Sequence, residues 1–160
     1  MKVALFPGSF DPPTLGHLNI IKRSQSMCDK LFVAIGTNAS KPDELFNIKE
    51  RKTMLEKICT PFSHVEVVSY STLTVEFAKA NKVDFLLRGL RTVCDFEAEV
   101  SMAVANQKLS GIDTVFLIAD EKMAHISSTL ICEIGKFNRR LHDFVPQEIE
   151  NEVFKRLSLS

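Results

Sequence analysis

The sequence has no net charge and no closely spaced cysteines, and each absence excludes a class of protein. Its 20 basic and 20 acidic residues cancel, so no overall field draws the chain to nucleic acid or to an anionic membrane. The 4 cysteines never form Cys-x-x-Cys, which argues against a zinc site or a redox dithiol and suits a reducing compartment. The lack of net charge favours a small ligand over a polymer.

Long apolar runs are missing as well. No stretch approaches the roughly 18 apolar residues of a membrane span. The opening "MKVALF" lacks the apolar core of a signal peptide. We therefore expect a cytoplasmic protein with neither nucleic acid nor membrane as a partner.

What the sequence does contain is a regular alternation of short apolar runs with helical patterns. The apolar runs are "KVALF", "KLFVAIG", "VEVVS", "VDFLLRG" and "TVFLIA". Between them, residues with the period of a helix form stripes that are mostly apolar: Ile20, Ile21, Ser24, Met27 and Cys28; Met54, Leu55 and Ile58; Val75, Ala78 and Lys79; and Val100, Ala103, Val104 and Leu109. Apolar strands separated by helices predict a parallel sheet that is buried on both faces. We predict one α/β domain over residues 1–160, Rossmann-like and doubly wound, with a five-stranded parallel sheet, helices on both faces and a helical C-terminus.

The segment "GSFDPPTLGH", from Gly8 to His17, follows the first predicted strand and leads into the first predicted helix. In such a fold, ligands bind at the carboxyl ends of the strands. We expect the glycines and prolines to fix the shape of this loop, with Asp11 bonding within it and Thr14 capping the helix. His17 would then lie in the first helical turn, where N–H groups favour phosphate. The spacing is neither G-x-G-x-x-G nor a Walker loop.

This segment resembles the first signature of the nucleotidylyltransferase superfamily, with Thr14 in place of its first histidine. That replacement, together with Pro7, is similar to the bacterial phosphopantetheine adenylyltransferases. The resemblance continues in order through "SKPDELFNIKER", "LLRGLRTVCDFEAE" and "ISSTLICEI", so it covers nearly the whole chain. It implies transfer of the adenylyl group of ATP to 4′-phosphopantetheine, giving dephospho-coenzyme A and pyrophosphate in coenzyme A biosynthesis. Positioning and electrostatic stabilisation would drive this transfer, without a covalent intermediate.

The resemblance also implies roles for particular residues. The catalytic residues would be His17, which stabilises charge on the α-phosphate, together with Lys41 and Arg91. The residues that bind ATP would be Ser9, Phe10, His17, Gly89, Leu90, Arg91, Glu99, Met123, Ala124, His125, Ile126, Ser127, Ser128 and Thr129. The residues that bind the acceptor would be Ser9, Lys41, Leu73, Thr74 and Arg88. From the sequence alone, Arg88 could instead pair with Asp95 or Glu99 and hold the fold together.

The histidines share no metal-ligand spacing, so we expect no metal site built by the protein. Mg²⁺ would arrive bound to ATP. The resemblance further implies a homohexamer, formed as two trimers, while the sequence leaves open whether coenzyme A acts as a feedback inhibitor.

Three positions depart from the commoner pattern of the family: Thr72, where many relatives have aspartate, Ala98, where tyrosine is frequent, and Met123, where tryptophan is often found. They put local ligand contacts in question more than the reaction. Two alternatives remain at this stage. One is a sister enzyme that acts on nicotinate mononucleotide or uses CTP, and the other is a non-catalytic nucleotide-binding subunit. A tRNA synthetase is excluded by the chain length and by the lack of a basic surface.

Overall fold

The computed structural model describes residues 1–37 and 44–158, which form five strands and six helices. In chain order these are β1 (Val3–Gly8), α1 (Leu15–Ser24), β2 (Lys30–Gly36), α2 (Ile48–Cys59), β3 (Val65–Tyr70), α3 (Thr74–Ala80), β4 (Phe85–Leu90), α4 (Val93–Ser110), β5 (Asp113–Ile118), α5 (Ser128–Lys136) and α6 (Gln147–Ser158). Each predicted strand is present, and the C-terminal part is helical as expected.

All five strands are parallel and lie in the order β3-β2-β1-β4-β5. The strand order reverses between β1 and β4, because the chain first builds outward on one side of β1 and then crosses to the other. This arrangement confirms the predicted Rossmann-like, doubly wound fold. In such sheets the crevice at the reversal point, outside the carboxyl ends of the strands, is where ligands bind.

The pairing between β1 and β4 is unusually short, and this opens the crevice. It covers only Ala4 with Phe85 and Leu5 with Leu86, whereas β1 pairs with β2 as far as Gly8. Beyond Leu5 and Leu86 the two strands separate. The sheet is therefore split at its carboxyl edge, directly before the loop that follows Gly8.

Side chains of the strands alternate between two apolar cores, one on each face of the sheet. On β1, Ala4 and Phe6 join the larger core, which also contains buried residues of α1, α2, α5 and α6. Val3 and Leu5 point to the smaller core, which contains Ala78 of α3. Runs of consecutive apolar residues in the strands thus serve a sheet that is covered on both faces.

The first helix is shorter than its apolar stripe predicts. It ends at Ser24, whose hydroxyl donates to the carbonyl of Ile21 at 2.6 Å. The chain then turns tightly, with the N–H of Met27 donating to the carbonyl of Ser24 at 2.8 Å. Cys28 is still buried, so the apolar pattern correctly identified an inward-facing residue but misassigned a turn as helix.

Helix α4 differs from its prediction more strongly. Val104 and Leu109, expected to face the core, are 50% and 61% exposed in the single chain. Phe96 and Met102 on the same helix are also exposed. Apolar side chains lie around much of this helix, so its period could not indicate which side packs on the sheet.

Helices α5 and α6 pack closely at the C-terminal end of the described chain. Gly135 allows this contact, because a Cβ atom at that position would lie only 2.3 Å from Cδ1 of Leu157. Helix α6 begins directly after Pro146, as predicted, and buries Ile149, Val153 and Leu157. Within residues 1–37 and 44–158, no helix combines the length and apolarity needed to cross a membrane.

Candidate active site

Two adjoining cavities open where β1 and β4 separate. The α1-side cavity, of about 320 Å³, lies against the first turn of α1 and the start of α5. The α3-side cavity, of about 650 Å³, lies against β3, α3 and α4. Both cavities are lined by Pro7, Gly8, Ser9, Arg88, Glu99, Ser128 and Thr129. A ligand in one cavity therefore lies next to a ligand in the other.

His17 is fixed in the α1-side cavity by a reciprocal cap with Thr14. The backbone N–H of His17 donates to Oγ1 of Thr14 at 3.2 Å, and the backbone N–H of Thr14 donates to Nδ1 of His17 at 3.0 Å. Because a backbone N–H can only donate, Nδ1 must be the unprotonated nitrogen of the ring. The neutral ring therefore carries its proton on Nε2, which makes it a hydrogen-bond donor at that atom.

The surroundings of His17 keep the ring uncharged. Its ring contacts the rings of Phe10 and Phe6, with centroids 4.9 Å and 6.2 Å away. Burial, followed by the positive charges of Arg91 and Arg88, lowers the pKa of His17 from 6.5 to about 4. At neutral pH the imidazole is thus neutral and presents Nε2–H as a polar donor.

The turn before Phe10 is tight and strained. A Cβ atom on Gly8 would lie 2.9 Å from the Phe10 ring, so only glycine leaves room for that ring. Phe10 itself has a φ of 49°, in the left-handed region that costs a residue with a side chain roughly 1–2 kcal/mol. Its side chain is buried. Close packing of the ring holds this conformation in place.

Arg88 bridges the gap between the two separating strands. Its Nη1 donates to the carbonyl oxygen of Pro7 on β1 at 2.5 Å. On its other side it forms a two-pronged ion pair with Glu99 of α4, with Nε 2.7 Å from Oε2 and Nη2 bonded to Oε1. These contacts fix the plane of the guanidinium and leave further N–H groups for an anion.

Arg91 lies one residue beyond the end of β4 and is held more loosely. It pairs with Asp95 one helical turn away, at 3.1 Å between Nε and Oδ2, and Nη1 donates to the carbonyl of Ile126 at 3.1 Å. The cap of α4 is Thr92, whose hydroxyl accepts from the N–H of Asp95. Asp95 therefore serves as the partner of the arginine, and Thr92 takes the capping role.

The start of α5 faces the loop that follows β1. Ser127 caps the helix by accepting from the N–H of Leu130 at 3.1 Å, and the hydroxyl of Ser128 donates to the carbonyl of Pro12 at 3.1 Å. The N–H groups of Ser128 and Thr129 have no partner inside the helix. Since both residues line the cavities, this helix start can bind phosphate oxygens.

Polar groups in the α3-side cavity come from several elements. Thr74, the first residue of α3, shares a hydrogen bond of 2.8 Å with the hydroxyl of Tyr70. Asn106 of α4 and Arg51 of α2 also line this cavity. The arginines that line this cavity are Arg88 and Arg51. The cavity therefore combines cationic groups with a partly apolar wall formed by α4.

Most of the predicted site residues come together in this crevice. Those lining the α1-side cavity are Ser9, Phe10, His17, Arg88, Gly89, Arg91, Glu99, Met123, Ile126, Ser127, Ser128 and Thr129. Thr74 lines the α3-side cavity. Leu73, Leu90, Ala124 and His125 do not line either cavity. Lys41 lies outside the described residues.

Two residues of the crevice make contacts that were not expected from the sequence. Asp11 was expected to bond within its own loop, but its carboxylate accepts from the backbone N–H groups of Leu45 and Phe46, at 2.8 and 2.9 Å. Arg51 was not singled out at all. The sequence feature that could have identified Arg51 is its position one turn before Met54 and Leu55. That position places a charged residue on the buried stripe of α2.

Carboxylates around the crevice are engaged with protein partners. Glu99 and Asp95 pair with arginines, and Asp11 accepts two backbone N–H groups. Across the described ranges, no three His, Cys, Asp or Glu side chains group together so as to hold a metal ion.

Fold and site together define an α/β domain whose split sheet edge offers a neutral imidazole donor, two arginines and a helix start to phosphate groups. The model of the cytidylyltransferase-like family matches residues 5–134. The chain is 42% identical over 159 residues to a phosphopantetheine adenylyltransferase of Clostridium botulinum, covering 99% of this chain and 96% of the relative. It is 40% identical, with the same coverage, to a phosphopantetheine adenylyltransferase of Clostridium perfringens. The chain therefore belongs to the phosphopantetheine adenylyltransferase family, within the cytidylyltransferase-like proteins.

Solved structures share the fold at low sequence identity. A bifunctional NMN adenylyltransferase/ADP-ribose pyrophosphatase of Francisella tularensis is similar with a TM-score of 0.73 and 14% identity, over 96% of this chain and 49% of that one. A lipopolysaccharide core biosynthesis protein of Thermoplasma volcanium has a TM-score of 0.55 and 20% identity, over 75% of this chain and 97% of that one. These likenesses support the architecture alone.

Proposed function

We propose that this protein transfers the adenylyl group of ATP to the phosphate of 4′-phosphopantetheine, giving dephospho-coenzyme A and pyrophosphate. The observation that carries this proposal is the near full-length identity of 42% to a phosphopantetheine adenylyltransferase. The crevice supports it, because two adjoining cavities with shared lining residues suit two substrates that meet at one phosphorus atom.

ATP occupies the α1-side cavity in this proposal. Nε2–H of His17 donates to an oxygen of the α-phosphate, and the start of α5 at Ser128 and Thr129 receives the β- and γ-phosphates. Arg91 adds positive charge beside them. Charge builds up on these oxygens as the bond to pyrophosphate breaks, so donors that are already oriented stabilise the transition state more than bound ATP.

Phosphopantetheine occupies the α3-side cavity, with its phosphate at Arg88 and its arm along Thr74, while a contact to Leu73, which lies outside the cavity lining, remains a prediction. The second pKa of a phosphate monoester is about 6, so at neutral pH the nucleophile is already largely dianionic. It needs no general base. One P–O bond forms at the α-phosphorus while the bond to pyrophosphate breaks, and in-line positioning of the two substrates provides the acceleration.

Mg²⁺ enters as part of the ATP complex. The carboxylates of the crevice are engaged with arginines or backbone N–H groups, which fits an ion carried by the nucleotide. Mg²⁺ keeps several water ligands and typically binds through substrate phosphates. When bound, it neutralises charge on these phosphates. Lys41 remains a predicted contact to the phosphates of both substrates.

Assembly into a homohexamer and control by coenzyme A complete the proposal. The exposed apolar side chains of α4, among them Met102, Val104 and Leu109, support association between copies of the chain. Coenzyme A contains both the pantetheine arm and the adenylyl group of the product, so it would compete for both cavities. A cytoplasmic location remains a prediction.

A product assay tests the proposed reaction. Purified protein with Mg²⁺ and ATP is incubated with 4′-phosphopantetheine, and parallel samples contain nicotinate mononucleotide as acceptor or CTP as donor. We expect pyrophosphate and dephospho-coenzyme A to form only with ATP and phosphopantetheine. Turnover with nicotinate mononucleotide and none with phosphopantetheine would assign the protein to the sister enzyme instead.

A further inference from the structure

Arg51 is the most deeply buried charged residue of the described chain, with 1% of its surface exposed. It lies on the inward face of α2, on the same stripe as Met54, Leu55 and Ile58. A charged side chain is almost never fully buried unless specific partners compensate for the loss of water. Its contacts should therefore show what the guanidinium does there.

Those contacts lead to the loop that follows β1. Nη1 of Arg51 donates to the carbonyl oxygen of Ser9 at 2.8 Å. Nη2 lies 2.8 Å from Oε1 of Glu44, which precedes α2. Through Arg51, helix α2 thus holds the main chain of the loop that follows β1. Glu44 compensates the charge of the guanidinium.

The carbonyl of Ser9 belongs to the peptide bond that enters Phe10. Phe10 adopts the left-handed conformation, with a φ of 49°, and its ring contacts His17 with centroids 4.9 Å apart. A residue with a side chain keeps such a conformation only where its surroundings enforce it. A hydrogen bond that fixes the preceding peptide plane is one such constraint, and the burial of the Phe10 ring is another.

We infer that Arg51 is a positioning residue for the reaction: by holding the Ser9 carbonyl it maintains the strained turn at Phe10, and with it the placement of His17 against the α-phosphate. This inference rests on the proposed function for its kinetic consequences. Arg51 acts through Ser9 and Phe10, and we assign it no contact with a reacting atom. A displacement of about 1 Å in a catalytic group can cost about a hundredfold in rate, so a residue of this kind has a measurable effect on turnover.

Arg156 provides a matched control within the same part of the fold. Its Nη1 donates to the carbonyl of Leu45 at 2.7 Å, and its Nη2 pairs with Glu50 at the start of α2. Like Arg51, it joins a guanidinium to a backbone carbonyl and a carboxylate. It lines neither cavity, and the carbonyl that it contacts belongs to Leu45, which bonds to Asp11 and not to the Ser9–Phe10 peptide.

The test compares Arg51→Met, Arg51→Lys and Arg156→Met with the unaltered protein. For each we measure kcat, both KM values, the Kd of ATP by calorimetry and the melting temperature. We expect Arg51→Met to lower kcat by about tenfold to a hundredfold while the Kd of ATP stays within about threefold. Arg51→Lys keeps the charge and one donor, so it should recover part of kcat. Arg156→Met should lower the melting temperature while kcat stays within about twofold.

A readout without turnover separates this inference from the proposed function. NMR titration of the His17 ring in the unliganded protein reports how well Phe10 packs against it. Loosening of the turn admits water, so in Arg51→Met, or in Arg51→Lys if the first variant does not fold, the pKa of His17 should rise from about 4 toward 6.5.

An unchanged His17 titration together with an unchanged kcat would overturn the role of Arg51. So would an equal loss of kcat in Arg51→Met and Arg156→Met. If the unaltered protein fails to use phosphopantetheine, the proposed function fails, while the His17 titration still decides whether Arg51 holds the turn.

Discussion

The two cavities of the crevice hold the groups that we propose to bind phosphate in different ways. On the α1 side, His17 and the start of α5 are oriented by short-range caps, through Thr14 and Ser127. On the α3 side, Arg88 is paired with Glu99 of α4. The cavity proposed for the nucleotide thus adds neutral, locally fixed donors to Arg91, whereas in the cavity proposed for the acceptor the group proposed to bind phosphate is Arg88, whose charge Glu99 compensates.

This difference separates two contributions to the reaction. A neutral donor gains most when charge increases on the oxygen that it contacts, so its effect falls mainly on the transition state. An arginine attracts a phosphate as soon as the phosphate enters, so its effect falls mainly on substrate binding. Changes to His17 should therefore alter turnover, and changes to Arg88 should alter acceptor binding.

The largest effect is expected for His17→Ala. Loss of one oriented donor to the reacting phosphate should lower kcat by about 10²–10³-fold, while the Kd of ATP stays within about tenfold because the other phosphate contacts remain. Steady-state kinetics and calorimetry on the same preparation check this. Abolished ATP binding with an unchanged rate at saturation would contradict the role of His17.

Acid should destabilise the protein through the same histidine. Because the folded state keeps the pKa of His17 near 4 and the unfolded chain has about 6.5, the unfolded state binds the extra proton between these values. Stability is therefore complete above pH 6.5 and is lost as the pH falls toward 4. Between about pH 7 and pH 4.5 this amounts to about 2–3 kcal/mol.

Urea unfolding of the unaltered protein and of His17→Gln at both pH values isolates that contribution. Carboxylates and His64 titrate in both proteins, so their effects cancel in the comparison. We expect the unaltered protein to lose about 2–3 kcal/mol more than the variant. An equal loss in the two proteins would mean that His17 is not held in its neutral form.

Arg88→Ala should act on the acceptor cavity. Loss of a charge-assisted contact costs about 1.5–3 kcal/mol, so the KM of phosphopantetheine should rise by about tenfold to a hundredfold while that of ATP changes little. Arg88→Lys keeps the charge without the planar fork and should recover only part of the loss.

The competing role of Arg88 is to hold the fold together. Two contacts define this role, because Arg88 joins Pro7 of β1 to Glu99 of α4. The melting temperature of unliganded Arg88→Ala measures that role. A large fall in melting temperature with both KM values shifted equally would assign Arg88 to holding the fold.

The smallest effect is expected for Glu99→Gln. The exchange removes a negative charge beside the site proposed for the acceptor phosphate and keeps one hydrogen-bond acceptor for Arg88. We expect the KM of phosphopantetheine to fall by about two- to fivefold at low salt, because like charges repel weakly in a partly exposed site. A rise in the KM of ATP alone would instead support a direct contact between Glu99 and the nucleotide.

The sequence predicted the α1-side cavity better than the α3-side cavity, and the reason is the range of the contacts. Thr14 and His17 are three residues apart, and the cap at Ser127 is equally local, so helix-start patterns reveal both. Asp11 bonds to Leu45 and Phe46, more than thirty residues away. Nothing in the spacing of these residues indicates that they meet.

Fold prediction shows the same limit. The five strands follow from their apolar runs, since a parallel sheet covered on both faces needs little more than continuous apolar strands. The orientation of α4 could not be predicted, because Val104 and Leu109 are as apolar as core residues although the single chain exposes them. Their periodic spacing indicates that this side of α4 is apolar. It does not indicate whether the chain itself or another copy of the chain covers that side.

The central claim is that two adjoining substrates exchange the adenylyl group in one direct step. It is tested by turning over ATP made chiral at the α-phosphorus with sulfur and determining the configuration at phosphorus in the product. A single in-line transfer predicts inversion, because the phosphate of phosphopantetheine attacks opposite the departing pyrophosphate. Retention would require two successive displacements through an adenylyl–enzyme intermediate, and would contradict a crevice that acts by positioning and charge stabilisation alone.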